Sequence, residues 1–213
     1  MVIAVASQPR KKIEIMNIFI VYAHPSRTSY TYKILNKIID TIKKESYDIK
    51  FSDLYAMNFC SDMSEKEYER EGFAKTNIPP TSDVIEEQRK IEWADCIIFL
   101  YPVWWSDCPA KLKGWFDRVY SVGYAYGDKS DLPQMKTIKY GLVVCTAGHP
   151  NDFLNEIGIA QSMQTVMLND RLGIRFQNKE MLILGGTKDI KNVREKHQSE
   201  INNLTTKIKN YCQ

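Results

Sequence analysis

Three short and nearly continuous apolar runs, Ile18-Phe19-Ile20-Val21, Cys96-Ile97-Ile98-Phe99-Leu100-Tyr101 and the stretch 140–146, leave this chain few folds. A strand with one face in water alternates apolar and polar residues. A strand apolar throughout is buried on both faces, as in a parallel sheet covered from each side. The residues after the first run support that reading. Thr28 and Ser29 are good helix N-caps, and beyond them Ile34, Leu35, Ile38, Ile39 and Ile42 recur at spacings of one, three and four, the mark of an amphipathic helix. The alternation continues with a weaker strand over 49–54, a helix over 84–93, the strand over 96–101 and a helix over 109–120. A strand over 140–146, a helix over 154–168, a strand over 181–184 and a terminal helix from Ile190 complete it. Five strands alternating with helices predict an α/β doubly wound sandwich, a five-stranded parallel sheet with right-handed crossovers and helices on both faces. Residues 55–82 are the least legible part, with Pro79-Pro80 read as a loop between helical pieces.

In such a sheet ligands bind beyond the carboxyl ends of the strands, where the winding reverses. The loops after strands one, three and four therefore matter most: 24–29, 102–108 and 146–151. The first carries neither G-x-G-x-x-G nor G-x-x-x-x-G-K-[ST], so the dinucleotide and nucleotide-triphosphate fingerprints are absent; Gly185-Gly186 after strand five replaces neither. This loop instead offers His24, Arg27, Thr28 and Ser29 leading into a helix, whose free N–H groups and dipole suit an anion. Thr28 and Ser29 serving only as caps is an equally good account. Pro102-Val103-Trp104-Trp105 sets two indoles where the sheet opens to solvent, and a planar ring system would bury them; packing in a core or a dimer contact would do so too. Downstream of Pro109, the stripe Leu112, Trp115, Phe116 and Val119 reads as core. Gly114 within it costs about 1 kcal/mol relative to alanine, which suggests a close approach to the backbone, and helix-on-sheet packing suffices to explain it. Gly123-Tyr124-Ala125-Tyr126-Gly127 either walls a pocket or makes a turn.

Composition removes other classes. The chain is 213 residues long and 44% hydrophobic, enough for one core, and its net charge of +3 is spread rather than blocked, which points to neither nucleic acid nor anionic lipid. Cys60, Cys96, Cys108, Cys145 and Cys212 are scattered with no C-x-x-C, unlike a disulfide framework or zinc site, and fit a reducing compartment. No His stands at a spacing that would make Cys108 a nucleophile. No stretch reaches the roughly 18 apolar residues of a membrane helix, and the apolar start at Val2 is too short for a signal segment. Residues 1–15 read as an N-terminal extension, disordered or ahead of the true start, before a single domain over 16–213.

Taken together, A-H-P-x-R-T-S-Y, Y-P-V-W-W-x-x-x-P-A-x-L-K-G-W-F-D-R-V, G-Y-A-Y and T-A-G-H resemble the flavodoxin-like NAD(P)H:quinone oxidoreductase family from Met16 to about Gly186. The block from Pro102 to Val119, with G-Y-A-Y, is the specific part. The resemblance implies a flavin, FAD with FMN as the alternative, and NAD(P)H as electron donor. It implies that His24, Thr28, Ser29 and Tyr30 hold the flavin's phosphate and sugar side, that Pro102, Val103, Trp104 and Trp105 follow the isoalloxazine edge, and that Thr146, Ala147, Gly148 and His149 meet the pyrimidine end. It further implies Tyr124 and Tyr126 as substrate-pocket walls, a homodimer, and ping-pong transfer of hydride to a quinone-like acceptor; the reducing compartment that the cysteines fit makes a cytoplasmic setting the expectation. Two departures stand out. The tyrosine and histidine that relay charge in the family fall at Leu154 and Ala160, and His149 replaces a glycine, so no side chain is assigned as an essential catalyst. Rival readings are a flavodoxin-type electron carrier, disfavoured because such carriers are strongly acidic, and an ancillary flavoprotein of a potassium-efflux system. Among enzymes, nitro- and azo-reduction stay open.

Overall fold

The computed structural model describes residues 16–45, 47–127 and 135–212, so the expectation of an N-terminal extension over 1–15 lies outside the described residues. Five strands, β1 (Met16–Tyr22), β2 (Tyr47–Asp53), β3 (Cys96–Pro102), β4 (Ile138–Thr146) and β5 (Phe176–Leu184), form one all-parallel sheet in the order β2-β1-β3-β4-β5. The apolar runs of β1 and β3 occupy the centre, as their lack of alternation predicts. Successive side chains point to opposite faces. Ile18, Ile20, Tyr22, Cys96, Ile98 and Leu100 pack on one side, under α1 (Tyr30–Ile42), α7 (Ile190–Asn202) and α8 (Leu204–Cys212). Phe19, Val21, Ile97, Phe99 and Tyr101 pack on the other, under α3 (Ser82–Trp93) and α4 (Ala110–Val119). The winding reverses between β1 and β3, so their carboxyl ends flank the switch point.

Several elements differ from expectation for identifiable reasons. The illegible stretch contains α2 (Glu65–Gly72), opened by a reciprocal capping box between Ser64 and Glu67; S-x-x-E was its signal in the sequence. The close approach expected at Gly114 is present, but a loop makes it rather than the sheet. A Cβ there would lie 2.5 Å from Ser61 Cα and 2.7 Å from its carbonyl carbon, so the 59–61 loop lies directly on the backbone of α4. The helix expected over 154–168 is three pieces. α5 (Asn151–Glu156) ends before Gly158, whose φ of +75° is left-handed, α6 (Ile159–Gln164) restarts, and residues Thr165–Leu172 continue as a π-helix. β5 begins at Phe176 rather than 181 because it is an edge strand, where the polar stretch 177–180 remains half exposed.

Candidate functional site

The loops after β1, β3 and β4 meet at the switch point through direct bonds. The Val103 N–H donates to the Thr146 carbonyl at 2.8 Å, and the hydroxyls of Thr31 and Thr146 lie 2.7 Å apart, joining α1 to the end of β4. The His24 and Trp104 rings sit 6.2 Å apart, centre to centre. His24 Nδ1 accepts the Ser26 N–H at 2.9 Å, which requires a proton on Nε2 and a neutral ring; partial burial lowers its pKa below the ordinary value. Ser29 is the N-cap of α1 and accepts the Tyr32 N–H, while Thr28 bonds Ser26 instead. The Tyr30 and Thr31 amides head the helix, where no intrahelical acceptor exists. No acidic residue stands in its first turn.

The loop after β3 is a tight turn. Trp104 and Asp107 exchange both backbone N–H bonds, at 2.9 and 3.1 Å, and the two central residues have positive φ, +48° at Trp105 and +63° at Ser106. This is the pattern of a type I′ turn, which favours Asn and Gly, not Trp and Ser. It leaves Trp105 wholly exposed, at 102% of its reference area, and Trp104 partly so. Arg171 of the π-helix reaches the turn from behind. Its guanidinium forks onto Asp107 at 2.7 and 2.8 Å and lies over the Phe116 ring. Burial acts to raise the Asp107 carboxyl's pKa, but the Arg171 bonds and charge and the Cys108 amide outweigh it and hold the carboxyl below its ordinary value. Asp107 and Arg171 were not among the expected site residues. Arg171 sits in a polar stretch, and no periodicity marks it as buried. Cys108, beside them, is a poor nucleophile, its thiol pushed up to about 12 chiefly by burial.

After β4, the Ala147 carbonyl accepts from the Thr187 N–H and hydroxyl, and the Gly186 N–H donates to the His149 carbonyl at 2.8 Å. This close approach explains Gly185, where a Cβ would fall 2.8 Å from the His149 carbonyl oxygen. His149 is exposed and packs its ring 4.8 Å from that of Phe153. At Gly148, with ordinary φ, a Cβ would meet only the Lys188 stem, at 3.3 Å, so the glycine leaves a shallow cradle. Leu154 and Ala160 are buried in the core.

The two tyrosines part company. Tyr124 is buried, with its hydroxyl on Glu92 at 2.8 Å. Tyr126 is exposed, bonds Glu71 at 2.9 Å, and lines a cavity of about 660 Å³ with Phe116, Tyr120, Arg171 and Arg175. None of the twelve residues expected to hold the flavin lines that cavity. The residues at the switch point nonetheless suit a flavin. Unpartnered amides at a helix start without acidic neighbours suit a phosphate, an exposed indole on a rigid turn suits a flat ring, and the Gly148 cradle leaves room for its edge. Among the described residues no cluster of metal-ligating side chains occurs, and no helix is long and apolar enough to cross a membrane.

Comparison with known proteins agrees with the fold. A sequence family described as having a flavodoxin-like fold matches residues 16–208. A solved NAD(P)H:quinone oxidoreductase from Methanothermobacter marburgensis superposes with a TM-score of 0.80 at 40% identity, covering 89% of this chain and 96% of the other. NAD(P)H dehydrogenase (quinone) 1 of Rattus norvegicus is 33% identical over 182 residues, 76% of this chain and 65% of that protein. An NAD(P)H oxidoreductase of Haemophilus influenzae is 34% identical over 159 residues, 72% of this chain and 75% of its own length.

Proposed function

The chain belongs to the family with the flavodoxin-like fold, and from that premise we propose that it is a flavin-dependent oxidoreductase that passes hydride from NAD(P)H to quinone-like acceptors. The observation that carries the reading is the convergence at the switch point of the α1 amides, the exposed Trp105 turn and the Gly148 cradle. The names of the relatives from M. marburgensis and R. norvegicus support the substrate class. When bound, the flavin supplies the hydride chemistry, and the protein supplies position and field. Tyr30, Thr31 and Ser29 bind the phosphate and sugar side, with His24 and Thr28 at the loop's entrance. Pro102, Val103, Trp104 and Trp105 orient the ring edge and exclude water from it. The amides of Gly148 and His149, after Thr146 and Ala147, would hold the pyrimidine end, where N–H donors would favour negative charge. FAD is the proposed flavin, and FMN the alternative. Donor and acceptor use one pocket in turn, which gives ping-pong kinetics. A homodimer completes that pocket, in keeping with the large apolar groups Trp105 and Ile174 left 102% and 90% exposed. Tyr126, rather than Tyr124, then serves as the pocket wall.

The test is spectroscopic. Purified protein reconstituted with FAD or FMN is expected to be bleached by NADH or NADPH and recoloured by a quinone. Bound flavin that neither nucleotide reduces would favour the carrier or ancillary reading. Gly148→Leu, whose Cβ would meet only a flexible lysine stem, should fold and lose flavin; full occupancy in that variant would reject the placement.

A further inference from the structure

The Trp104–Asp107 turn is held in a conformation its own residues resist. Trp105 and Ser106 both adopt positive φ, a region that side chains with a Cβ disfavour. Such strain persists only where the surroundings over-determine it, and it gathers at functional sites. The over-determining contact is visible. The planar guanidinium of Arg171 matches both carboxylate oxygens of Asp107, at 2.7 and 2.8 Å, and its side chain is only 7% exposed. Bidentate pairing of this kind fixes direction as well as distance. Asp107 in turn receives the Cys108 N–H at 2.6 Å, so one carboxylate ties the turn's last residue, the start of α4 and the π-helix together. The guanidinium is immobilised from behind by Met167 Sδ at 3.0 Å, Cys108 Sγ at 3.3 Å and the face of Phe116.

The π-helix is part of the device. Its hydrogen bonds span five residues instead of four, which shifts every later side chain round the axis. Arg171 lies in Asn169-Asp170-Arg171, where Asn169 and Asp170 are exposed, and it alone of the three is turned inward. π-Helical segments recur where a side chain must be aimed at a functional site.

We propose that Arg171 is a positioning residue whose fork on Asp107 locks the Trp104–Asp107 turn, aiming the Trp105 indole and the amides of Trp105 and Ser106 at the isoalloxazine ring. The inference rests on the flavin reading above and deepens it by naming what sets the ring's environment. Because those amides stabilise the reduced ring more than the oxidised one, loosening the turn lowers the flavin's potential as well as its affinity.

The experiment compares wild type with Asp107→Asn, Arg171→Lys and the paired Asp107→Asn/Arg171→Met, which removes both charges together should the lone Asp107→Asn fail to fold. Dissociation constants for the flavin and its two-electron midpoint potential are measured at a temperature where each protein is fully folded. Asp107→Asn, or the pair in its place, is expected to weaken flavin binding at least tenfold and to prefer the reduced form at least tenfold less, a fall of about 30 mV. Arg171→Lys keeps the charge without the fork and should fall between. A merely structural clamp would lower the melting temperature and leave both constants unchanged; that result overturns the proposal. If wild type takes up no flavin, the functional reading fails on its own, and the clamp is then judged in the flavin-free protein. There, hydrogen exchange of the Trp104 and Asp107 amides must accelerate in the variants, and unchanged protection would refute it.

Discussion

Alanine in place of Gly114 sets two effects of opposite sign against each other. In an isolated helix the change is favourable by about 1 kcal/mol, because glycine loses more backbone entropy than alanine. In this fold the added methyl meets the backbone of Ser61, 2.5 Å from its Cα and 2.7 Å from its carbonyl carbon, with the oxygen nearer still. Ordinary contact begins near 3.4 Å, so either the loop or the helix has to retreat by about 1 Å. The loop is not free to do so. The Lys111 ammonium donates to the Phe59 carbonyl at 2.7 Å and the Arg118 guanidinium to the Cys60 carbonyl at 2.8 Å, one on either side of the contact along the same face of α4. Overpacking a site of this kind costs about 3 kcal/mol, at the upper end of the usual range. The net is then a destabilisation of about 2 kcal/mol, which for a chain of this size lowers Tm by about 4–8 °C. Thermal unfolding followed by circular dichroism measures it, with Lys113→Ala on the exposed side of the helix as a baseline expected to change stability by less than about 0.5 kcal/mol. A Tm for Gly114→Ala equal to or above wild type would show that helix propensity wins and that the Ser61 contact is soft.

The same geometry leads to three further outcomes. Trp105→Gly relieves positive φ at a wholly exposed position, a gain of about 1 kcal/mol offset by glycine's greater freedom when unfolded; Tm should not fall, while flavin affinity should, and a fall in Tm would mean the indole packs in the isolated chain. Arg118→Met strips the partner from Glu67 at 2.7 Å and Asp83 at 2.7 Å and should cost about 3 kcal/mol, since it leaves carboxylates uncompensated; a denaturant midpoint near wild type would contradict this. His197, buried in α7, has Nδ1 2.9 Å from the Tyr30 hydroxyl, and burial, with a smaller push from Lys196 and against the Gly185 carbonyl, lowers its pKa below the ordinary 6.5. The unfolded chain therefore binds the proton more readily, so the stability held by neutral His197 is fully present above pH 6.5 and is lost as pH falls below it. Chemical denaturation at pH 7.5 and 5.5 should show a smaller loss for His197→Gln than for wild type; equal losses would place the titration elsewhere.

The order of strands and helices was legible in the sequence because burial on both faces writes itself as unbroken apolar runs. Residues 18–21 and 96–101 could be nothing but central strands. The three loops that build the site could be located from the same pattern, since a parallel sheet opens at one end only. Even Gly114 carried its message, a residue costly in a helix and so held by a contact. What the sequence could not disclose was the partner in each contact. That Ser61 approaches Gly114 and that Tyr124 turns inward to Glu92 while Tyr126 faces a cavity depend on residues 32 to 53 positions apart. The Arg171 fork on Asp107 spans 64 positions and rests on a π-helix that no local propensity announces. Local patterns record which face of an element meets the core and where it stops. Long-range pairing of polar groups leaves no period in the chain, because it is settled only when the packed layers bring those groups within hydrogen-bond reach.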